Sequence, residues 1–593
     1  MFSVFFIFSK SLYFPGNLPN NFRLHERINV SVNALRSSIR PIPLDYFKND
    51  VFCSREMTGD LRTNIGEYLS GDALHFSPYF FNVGDDEKCL SLCQKNYSET
   101  QKKYLMNLID NKYRIVFILD DIPVSFIDNQ NGNLIRSPGF EIGYKENGEY
   151  FLNNHVNFKV KTLKVDEDIR IVGFDIKSIE NSADGCSKTS KISLNNQNSF
   201  TFSYSVQFEP TNVDWNKRWN ELLTIDYSPK YHWISVCNTL LLVLVLSFII
   251  SFILFRIIKH DLRSIDDEQD PLDEAGWQLI HGDVFRAPVH SERLCALVGS
   301  GFQLLLGAGI VLGVAAIGFL APLNMGSMIT TIAVVFIVAA PFGGFLSSKL
   351  FHSIGDVNWK KNILRSAFCF ILPSLILYFL VNFIFIRNES TAALTFHSLF
   401  ELLILIGVID FALFFIGSII GLRVNPFDFP TRINNLPRQI PKQPWFLHPL
   451  FTALAGGLAI FSVYFVECYF IYRSLWTNLS YYYLFGLLFV VFLAMQIISF
   501  EISICFVYLH LIYENYNWWW AAFRIPASSG IMLFIYSIFY MVSRYHPPDL
   551  SSIAIYLIFS AIFAFALALA NGTIGFIFSL MFVQKIYAVL KME

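Results

Sequence analysis

A series of long apolar runs in the later part of the chain constrains the fold most strongly. Beyond about residue 231, apolar blocks alternate with short polar connections. A helix of about 20 apolar residues crosses the hydrocarbon core of a bilayer. We therefore predict nine transmembrane helices, at 233–257, 295–320, 327–350, 363–386, 395–422, 446–472, 481–512, 527–544 and 550–582. Because nine is odd, the two ends of the chain would lie on opposite sides of the membrane.

The composition agrees with a membrane protein that also carries one water-exposed domain. Hydrophobic residues make up 53% of the 593 residues and charged residues 16%, whereas about a quarter of a soluble protein is charged. Asn, Ser, Lys and Asp occur throughout the part of the chain before residue 231, as in an ordinary soluble domain. We predict a candidate signal sequence over 1–14, an N-terminal domain over 15–231, and a nine-helix transmembrane domain with a short tail over 232–593. A net charge of −2 gives no electrostatic basis for binding nucleic acid.

The distribution of Lys and Arg predicts which side faces the cytosol. Connections on the side of the C-terminal tail carry fourteen basic residues: Arg256, Lys259, Arg263, Arg286, Arg293, Lys349, Lys360, Lys361, Arg365, Arg423, Arg432, Arg438, Lys442 and Arg524. The opposite short connections carry only Arg387, Arg473 and Arg544. Cytosolic loops are the ones enriched in Lys and Arg. The tail is therefore predicted to be cytosolic and the N-terminal domain luminal or extracellular.

The N-terminal domain is predicted to be rich in β-structure. "YRIVFILDDIPVSF", residues 169–174 and "SFTFSYSVQFEP" are rich in β-branched and aromatic residues, with Asn, Gly and Asp between them. One stretch, residues 87–113, is predicted to form a helix or a pair of helices. We expect a β-rich, sandwich-like domain.

Two kinds of residue in this domain are typical of exported proteins. Asn29 and Asn96 each begin an Asn-x-Ser glycosylation site. Four cysteines, Cys53, Cys89, Cys93 and Cys186, could form two disulfides in an oxidising compartment. Three pairings are open at this stage. A zinc site is the alternative, but no His or Cys pair completes a usual pattern, so we predict neither a metal nor a cofactor.

Motifs along almost the whole chain resemble those of one known family. They include "FPGNLP", "PIPLDYF", "NIGEYLSGD", "EKCLSLC", "FSYSVQFEPTNVDWNKRW", "GWQLIHGDVFRAP", "TRINNLPRQIPKQPWF", "ENYNWWWAAF" and "VQKIYAVLKME". Their order and the number of spans are similar to those of the nonaspanins, the transmembrane nine superfamily of Golgi and endosomal membrane proteins. The resemblance implies a multi-pass glycoprotein of the Golgi and endosomes that has no enzymatic activity.

The last residues of the chain form a candidate address signal. Lys591-Met592-Glu593 is similar to the family's C-terminal Lys-x-acid signal, which in relatives is bound by the COPI coat. Lys591 offers a cation, and Glu593 offers a side-chain carboxylate beside the terminal one. These groups could pair with a pocket of mixed charge. The simpler alternative is a lysine that reaches the membrane interface at a helix end.

Acidic residues inside the predicted spans are the second group of candidates. Glu467, Glu501, Asp410 and Glu401 lie among apolar residues, where an ionised carboxylate costs about 2.5–3.5 kcal/mol on insertion scales. They would be protonated, paired or turned toward a polar interior. Glu467 and Glu501 match the family pattern and are the preferred candidates for a polar cargo groove or a proton path. The alternative is hydrogen bonding that only holds the helices together.

Glycine-rich runs and the absence of catalytic motifs complete the prediction. The glycines of "GSGFQLLLGAGIVLG" permit close helix packing, either within this bundle or with glycine-rich spans of cargo proteins, which the family is reported to bind. No phosphate-binding loop or catalytic triad pattern is present in the sequence. The resemblance implies a protein that sorts or localises other membrane proteins and is recycled by COPI. The alternative is a proton-coupled transporter of small molecules that uses Glu467 and Glu501.

Overall fold

The chain forms a β-rich domain followed by a helical bundle. The computed structural model describes residues 19–54, 65–130, 133–181, 192–215, 218, 229–267, 276–320, 325–355, 358–477 and 485–589. The candidate signal sequence over 1–14 lies outside these residues.

The N-terminal domain contains fifteen strands among the described residues. They are β1 Arg27–Val32, β2 Arg36–Ser37, β3 His75–Asn82, β4 Glu87–Asn96, β5 Tyr113–Ile115, β6 Phe117–Leu119, β7 Ile122–Pro123, β8 Ser125–Gln130, β9 Asn133–Pro138, β10 Phe140–Glu141, β11 Gly143–Glu146, β12 Glu149–Leu152, β13 His155–Val165, β14 Asp168–Glu180 and β15 Ser199–Pro210. Two α-helices, Ile65–Ser70 and Glu99–Asp110, complete the domain.

Two sheets of this domain pack face to face, as in a sandwich. One has the strand order β3-β1-β6-β7 and the other β4-β15-β13-β14-β8-β9. The ring of Tyr79 on β3 lies 5.9 Å from that of Phe158 on β13 and 5.3 Å from that of Tyr204 on β15. These distances are typical of packed aromatic pairs. The predicted β-rich domain is confirmed, and its core lies between the two sheets.

The helix predicted over residues 87–113 is wrong for its first part. Residues 87–96 form β4, the edge strand of the larger sheet, which pairs with β15. The helix begins only after Ser98, whose hydroxyl accepts from the backbone N–H of Gln101 while the Gln101 side chain accepts from the backbone N–H of Ser98. This reciprocal cap marks the true start of the helix. Pairing with a distant strand therefore outweighs the local pattern.

The predicted membrane domain of nine helices is confirmed. Within the part of the chain that the structure describes, nine helices are long and apolar enough to cross a membrane. They are span 1 Pro229–Asp267, span 2 Ser291–Ile317, span 3 Met325–Ile354, span 4 Trp359–Arg387, span 5 Phe396–Arg423, span 6 Pro449–Thr477, span 7 Phe485–Ile512, span 8 Trp518–Tyr545 and span 9 Leu550–Val589.

Span 8 begins at Trp518, nine residues before the predicted start at residue 527. Pro526 therefore lies inside the helix. Proline has no N–H, so the carbonyl four residues earlier, that of Ala522, loses its helical partner. The hydroxyl of Ser503 on span 7 donates to this carbonyl at 2.8 Å. A neighbouring helix thus supplies the missing hydrogen bond, which is how prolines are tolerated in membrane helices.

The β-rich domain sits on one side of the bundle, which we call the domain side. Arg40 pairs at 2.9 Å with Asp549, in the connection between spans 8 and 9. The backbone carbonyl of Pro43 accepts from the Ser390 hydroxyl at 2.7 Å, in the connection between spans 4 and 5. Ala392 of the same connection belongs to the apolar core of the domain. The domain and the bundle therefore share a continuous interface.

Two connections cover the opposite side of the bundle, which we call the far side. The segment 276–290 follows span 1, and the segment 424–447 joins spans 5 and 6. They contact each other where the N–H of Asn434 donates to the carbonyl of Gly282 at 2.8 Å and where the rings of Phe285 and Phe429 stack at 4.7 Å. We call these two segments the far-side cap.

Candidate functional site

The tail residues Lys591 and Glu593 lie outside the described residues, but the end of span 9 is well defined. The hydroxyl of Tyr587 donates to the carbonyl of Trp277 in the far-side cap at 2.7 Å. The Tyr587 ring also contacts those of Trp277 and Phe285 edge-on, at 5.4 and 6.0 Å. Lys591 is therefore only four positions beyond a tyrosine that is held on the far side.

A buried carboxylate holds the far-side cap together. Asp283 accepts from the Nε and Nη2 atoms of Arg286 at 2.9 and 2.5 Å. Its second oxygen accepts from the backbone N–H of Arg438 at 3.2 Å, and the Arg438 guanidinium bonds Glu514 at 2.9 Å. Asp283 is in the "IHGDVF" stretch of the sequence, where the structure gives it a bridging role between the two segments of the cap.

Two of the three consecutive tryptophans at the start of span 8 are interior residues. Trp518 and Trp519 are fully buried, and the Trp518 indole N–H donates to the carbonyl of Val284 at 2.9 Å. The neighbouring Trp520 donates from its indole N–H to the carbonyl of Val289 at 2.8 Å. Trp518 and Trp520 therefore attach the far-side cap to the bundle.

Glu501, one of the two preferred acids, lies on span 7 against span 1. One of its carboxyl oxygens accepts a hydrogen bond from the Ser247 hydroxyl. Span 1 packs on the bundle through only one face, and its other face, which includes Leu244 and Phe248, is exposed. Glu501 thus provides a polar contact that attaches span 1 to the bundle.

Glu467, the other preferred acid, lies on span 6 in the interior of the bundle. Its side chain is only 1% exposed. Its near neighbours on the same helix, Tyr464 and Cys468, belong to an apolar cluster that spans 7 and 8 also line. Glu467 and Glu501 are thus carried by adjacent helices, one in the interior and the other beside span 1.

Asp410 is the most deeply buried of the four acids, although the sequence ranks it below Glu467 and Glu501. It is 0% exposed and ends a π-helical segment, Ile404–Asp410, within span 5. One carboxyl oxygen accepts from the Gln303 amide of span 2 at 2.8 Å. The same amide donates to the carbonyl of Phe336 on span 3 at 3.0 Å. Gln303 is a polar residue in a largely apolar run, but the sequence alone does not indicate that Asp410 is its partner.

Glu401 differs from the other three acids because it is exposed. It lies near the domain-side end of span 5, with 64% of its side chain accessible, and is 3.4 Å from the Nε2 atom of His397. A carboxyl group at this height belongs to the membrane interface, where polar groups are tolerated. Of the four predicted acids, Asp410 and Glu467 are buried.

The glycines of span 2 fall into two groups. A Cβ at Gly301 would overlap the Thr573 hydroxyl of span 9, and one at Gly299 would collide with Ser347 of span 3. These two glycines serve packing within the bundle. By contrast, a Cβ at Gly307 would meet nothing within 4 Å, and one at Gly313 would come no closer than 3.9 Å to the Phe489 ring.

The candidate modification sites lie on the larger and smaller sheets of the N-terminal domain. Asn96 is exposed at the end of β4, whereas Asn29 is half-buried in β1 and faces Phe80 in the pairing register. Cys53 forms a disulfide with Cys93 of β4, and Cys89 is also disulfide-bonded. Cys186 lies outside the described residues. Among the residues that the structure covers, no cluster of three or more His, Cys, Asp or Glu could hold a metal.

Comparison with known proteins agrees with this architecture. The profile of the family described as Endomembrane protein 70 matches residues 43–549. Transmembrane 9 superfamily member 10 of Arabidopsis thaliana is 31% identical over 617 residues, covering 98% of this chain and 96% of the relative. Transmembrane 9 superfamily member 4 of Homo sapiens is 31% identical over 629 residues, covering 99% and 97%.

No solved structure matches the chain significantly. The family profile and the relatives nevertheless cover both the β-rich domain and the bundle. The chain therefore belongs to the Endomembrane protein 70 family, the transmembrane 9 superfamily of multi-pass endomembrane proteins.

Proposed function

We propose that this protein sorts or localises other transmembrane proteins in Golgi and endosomal membranes and is recycled by the COPI coat. The N-terminal domain would be luminal and, together with the membrane domain, would engage cargo. The tail would engage the coat through Lys591 and Glu593. No chemical reaction is part of this proposal.

The observation that carries the proposal is the placement of the two ends of the molecule. The β-rich domain contacts the domain side through Arg40 and Ser390, whereas Tyr587 is fixed on the far side. The far side also carries the connections that are rich in Lys and Arg. A receptor that links luminal or membrane cargo to a cytosolic coat needs this arrangement, with the recognition domain and the address on opposite surfaces.

The first experiment tests the address. Lys591→Ala combined with Glu593→Ala should move a tagged full-length protein out of the Golgi, as seen by fluorescence microscopy, and should abolish binding of the solubilised protein to purified coat. Lys585→Ala is the matched control, because Lys585 is an exposed lysine on span 9 outside the three-residue signal. If the double variant and wild type have the same location and bind coat equally, the address proposal is wrong.

The second experiment tests the orientation. In sealed microsomes, a glycosidase added together with detergent should increase the electrophoretic mobility of wild type. The increase should be smaller for Asn96→Gln, which lacks one glycosylation site. Protease added without detergent should remove an epitope placed after Glu593 and spare the N-terminal domain. The reverse pattern of protection would contradict the proposed orientation.

A further inference from the structure

The two halves of span 5 differ in how they pack. In the far-side half, a Cβ at Gly417 would overlap the carbonyl oxygen of Pro341 and one at Gly421 would overlap that of Phe345, so spans 3 and 5 are in close contact there. In the domain-side half, from Phe396 to Ile409, no residue is buried. These 14 residues correspond to about 21 Å of helix, which exceeds half the thickness of the hydrocarbon core.

Open space accompanies the change in packing. A Cβ at Gly407 on span 5 or at Gly307 on span 2 would meet nothing within 4 Å. The two spans run in opposite directions, so Gly307 lies one turn from Gln303 toward the domain side, and Gly407 lies about one turn from Asp410 toward the same side. The hydrogen bond between Gln303 and Asp410 places the two open glycines at a similar depth.

Asp410 lies where the packed half of span 5 meets the open half. Its Oδ1 atom is satisfied by Gln303, but its Oδ2 atom is buried and has no hydrogen-bond partner among the described residues. A buried polar atom without a partner costs about 1–3 kcal/mol. The π-helical segment that ends at Asp410 is of a kind often found at functional sites.

The domain side of this region is covered, so access is from the bilayer. The N–H of Gly66 donates to the Thr330 hydroxyl of span 3 at 3.1 Å, and the hydroxyls of Tyr68 and Ser398 of span 5 are 3.0 Å apart. The short helix Ile65–Ser70 therefore connects the beginnings of spans 3 and 5. A ligand would reach the open space beside Gly407 and Gly307 by moving laterally through the membrane.

We propose that a transmembrane helix of another protein binds along the domain-side half of span 5 and that a Ser or Thr hydroxyl of this helix bonds Asp410. This inference rests on the proposed sorting function and assigns its membrane site. Acyl chains offer no hydrogen-bond donor, whereas a hydroxyl donates to a carboxylate and also accepts from a protonated acid. Glycines without close neighbours on spans 2 and 5 allow a helix to approach.

The test uses the full chain, with a fluorescent protein at its C terminus, in phosphatidylcholine vesicles. The probes are two synthetic single-span helices of Leu and Ala that carry a fluorophore and are identical except for one central Ser or Ala. Binding is measured by energy transfer as the probe density increases. The Ser probe should bind wild type about three- to fifteenfold more tightly than the Ala probe, the range expected for one hydrogen bond between membrane helices.

Different variants test the contribution of Asp410 and the contribution of the neighbouring surface. Asp410→Leu should bind both probes equally, whereas Glu501→Gln, which alters an acid elsewhere in the membrane, should keep the preference for Ser. Gly407→Leu should weaken both probes, because its side chain would fill the open space about one turn from Asp410. Its matched control is Gly486→Leu at the start of span 7, where a Cβ also meets nothing within 4 Å; it should bind both probes like wild type.

The proposal is overturned if wild type binds the two probes equally or binds neither, as expected if lipid fills this face. It is equally overturned if Gly407→Leu leaves binding unchanged. The sorting function is tested separately by the location of a single-span reporter protein in cells that lack this chain. If wild type does not restore the reporter's location, the sorting function is wrong. If wild type and Gly407→Leu restore it equally, only the site is wrong.

Discussion

At the scale of single residues, Asp72 illustrates how a carboxylate stabilises the domain next to the membrane. It accepts from Arg36 at 2.6 Å, from Asn33 at 2.7 Å and from Ser70 at 2.7 Å. Burial alone would raise the pKa of Asp72, but the Arg36 charge and these hydrogen bonds outweigh it and lower the pKa below its usual value. The neighbouring carbonyl of Gly71 accepts from Thr391 of the bundle.

This lowered pKa predicts a specific dependence of stability on pH. Because the pKa of Asp72 is lower in the folded state, the stabilisation is fully present above about pH 4, the unfolded value, and is lost as pH falls through the folded value. Asp72→Asn should therefore reduce stability at pH 7 by about 1–3 kcal/mol and weaken its decline below pH 4. The measurement is the melting temperature of the full chain in detergent as a function of pH.

An exposed aspartate provides the control for Asp72. Asp166, at the turn between β13 and β14, has a φ of +55°, a conformation that Asn adopts readily. Asp166→Asn should melt like wild type at every pH. If Asp72→Asn and Asp166→Asn give the same pH profile, the bonds to Arg36, Asn33 and Ser70 do not stabilise the domain as described.

At the scale of helices, glycine positions determine how closely spans 3 and 5 approach. Gly417→Ala would place a methyl group against the Pro341 carbonyl, and the two spans would have to separate. Overpacking of this kind costs about 1–3 kcal/mol, so the melting temperature in detergent should fall. Gly407→Ala, in the same span, should leave the melting temperature unchanged or raise it, because its Cβ meets no atom within 4 Å and Ala is the better helix former by about 1 kcal/mol. Equal effects of the two substitutions would contradict the difference between the halves of span 5.

The helices also indicate which features a sequence can predict. The nine spans follow from apolar length alone, and the β-rich domain follows from β-branched and aromatic runs. Three features depend on distant partners and could not be predicted in this way: the strand at 87–96, the start of span 8 before Pro526, and the buried pair of Asp410 and Gln303. Gln303 and Asp410 are 107 residues apart, and the hydroxyl that satisfies the Ala522 carbonyl comes from another span.

At the scale of the whole molecule, the interface between the β-rich domain and the bundle depends on a few partly buried contacts. Arg40 bonds Asp549 at 2.9 Å and Asn388 at 3.1 Å, with only 16% of its side chain exposed. Lys48 also crosses the interface, but its partner Glu389 is 76% exposed. A solvent-exposed pair contributes little, whereas a partly buried arginine that bonds two residues contributes more.

We therefore expect Arg40→Ala and Lys48→Ala to have different effects on the interface. In the full chain, Arg40→Ala should accelerate amide hydrogen exchange several-fold in residues 36–46 and 388–395. Lys48→Ala should leave exchange in both segments close to that of wild type. Equal acceleration by the two variants, or none by Arg40→Ala, would show that this pair does not hold the domain on the bundle.

The anchored Tyr587 limits how far the tail can extend from the bundle. Only three residues lie between it and Lys591. The four steps from Tyr587 to Lys591 span at most about 14 Å in a fully stretched chain, at about 3.6 Å per residue. A coat subunit that grips Lys591 would have to come almost flush with the floor formed by Trp277 and Phe285. Vesicle coating would then depend on the shape of the surface around Trp277 and Phe285 as well as on the three residues of the signal.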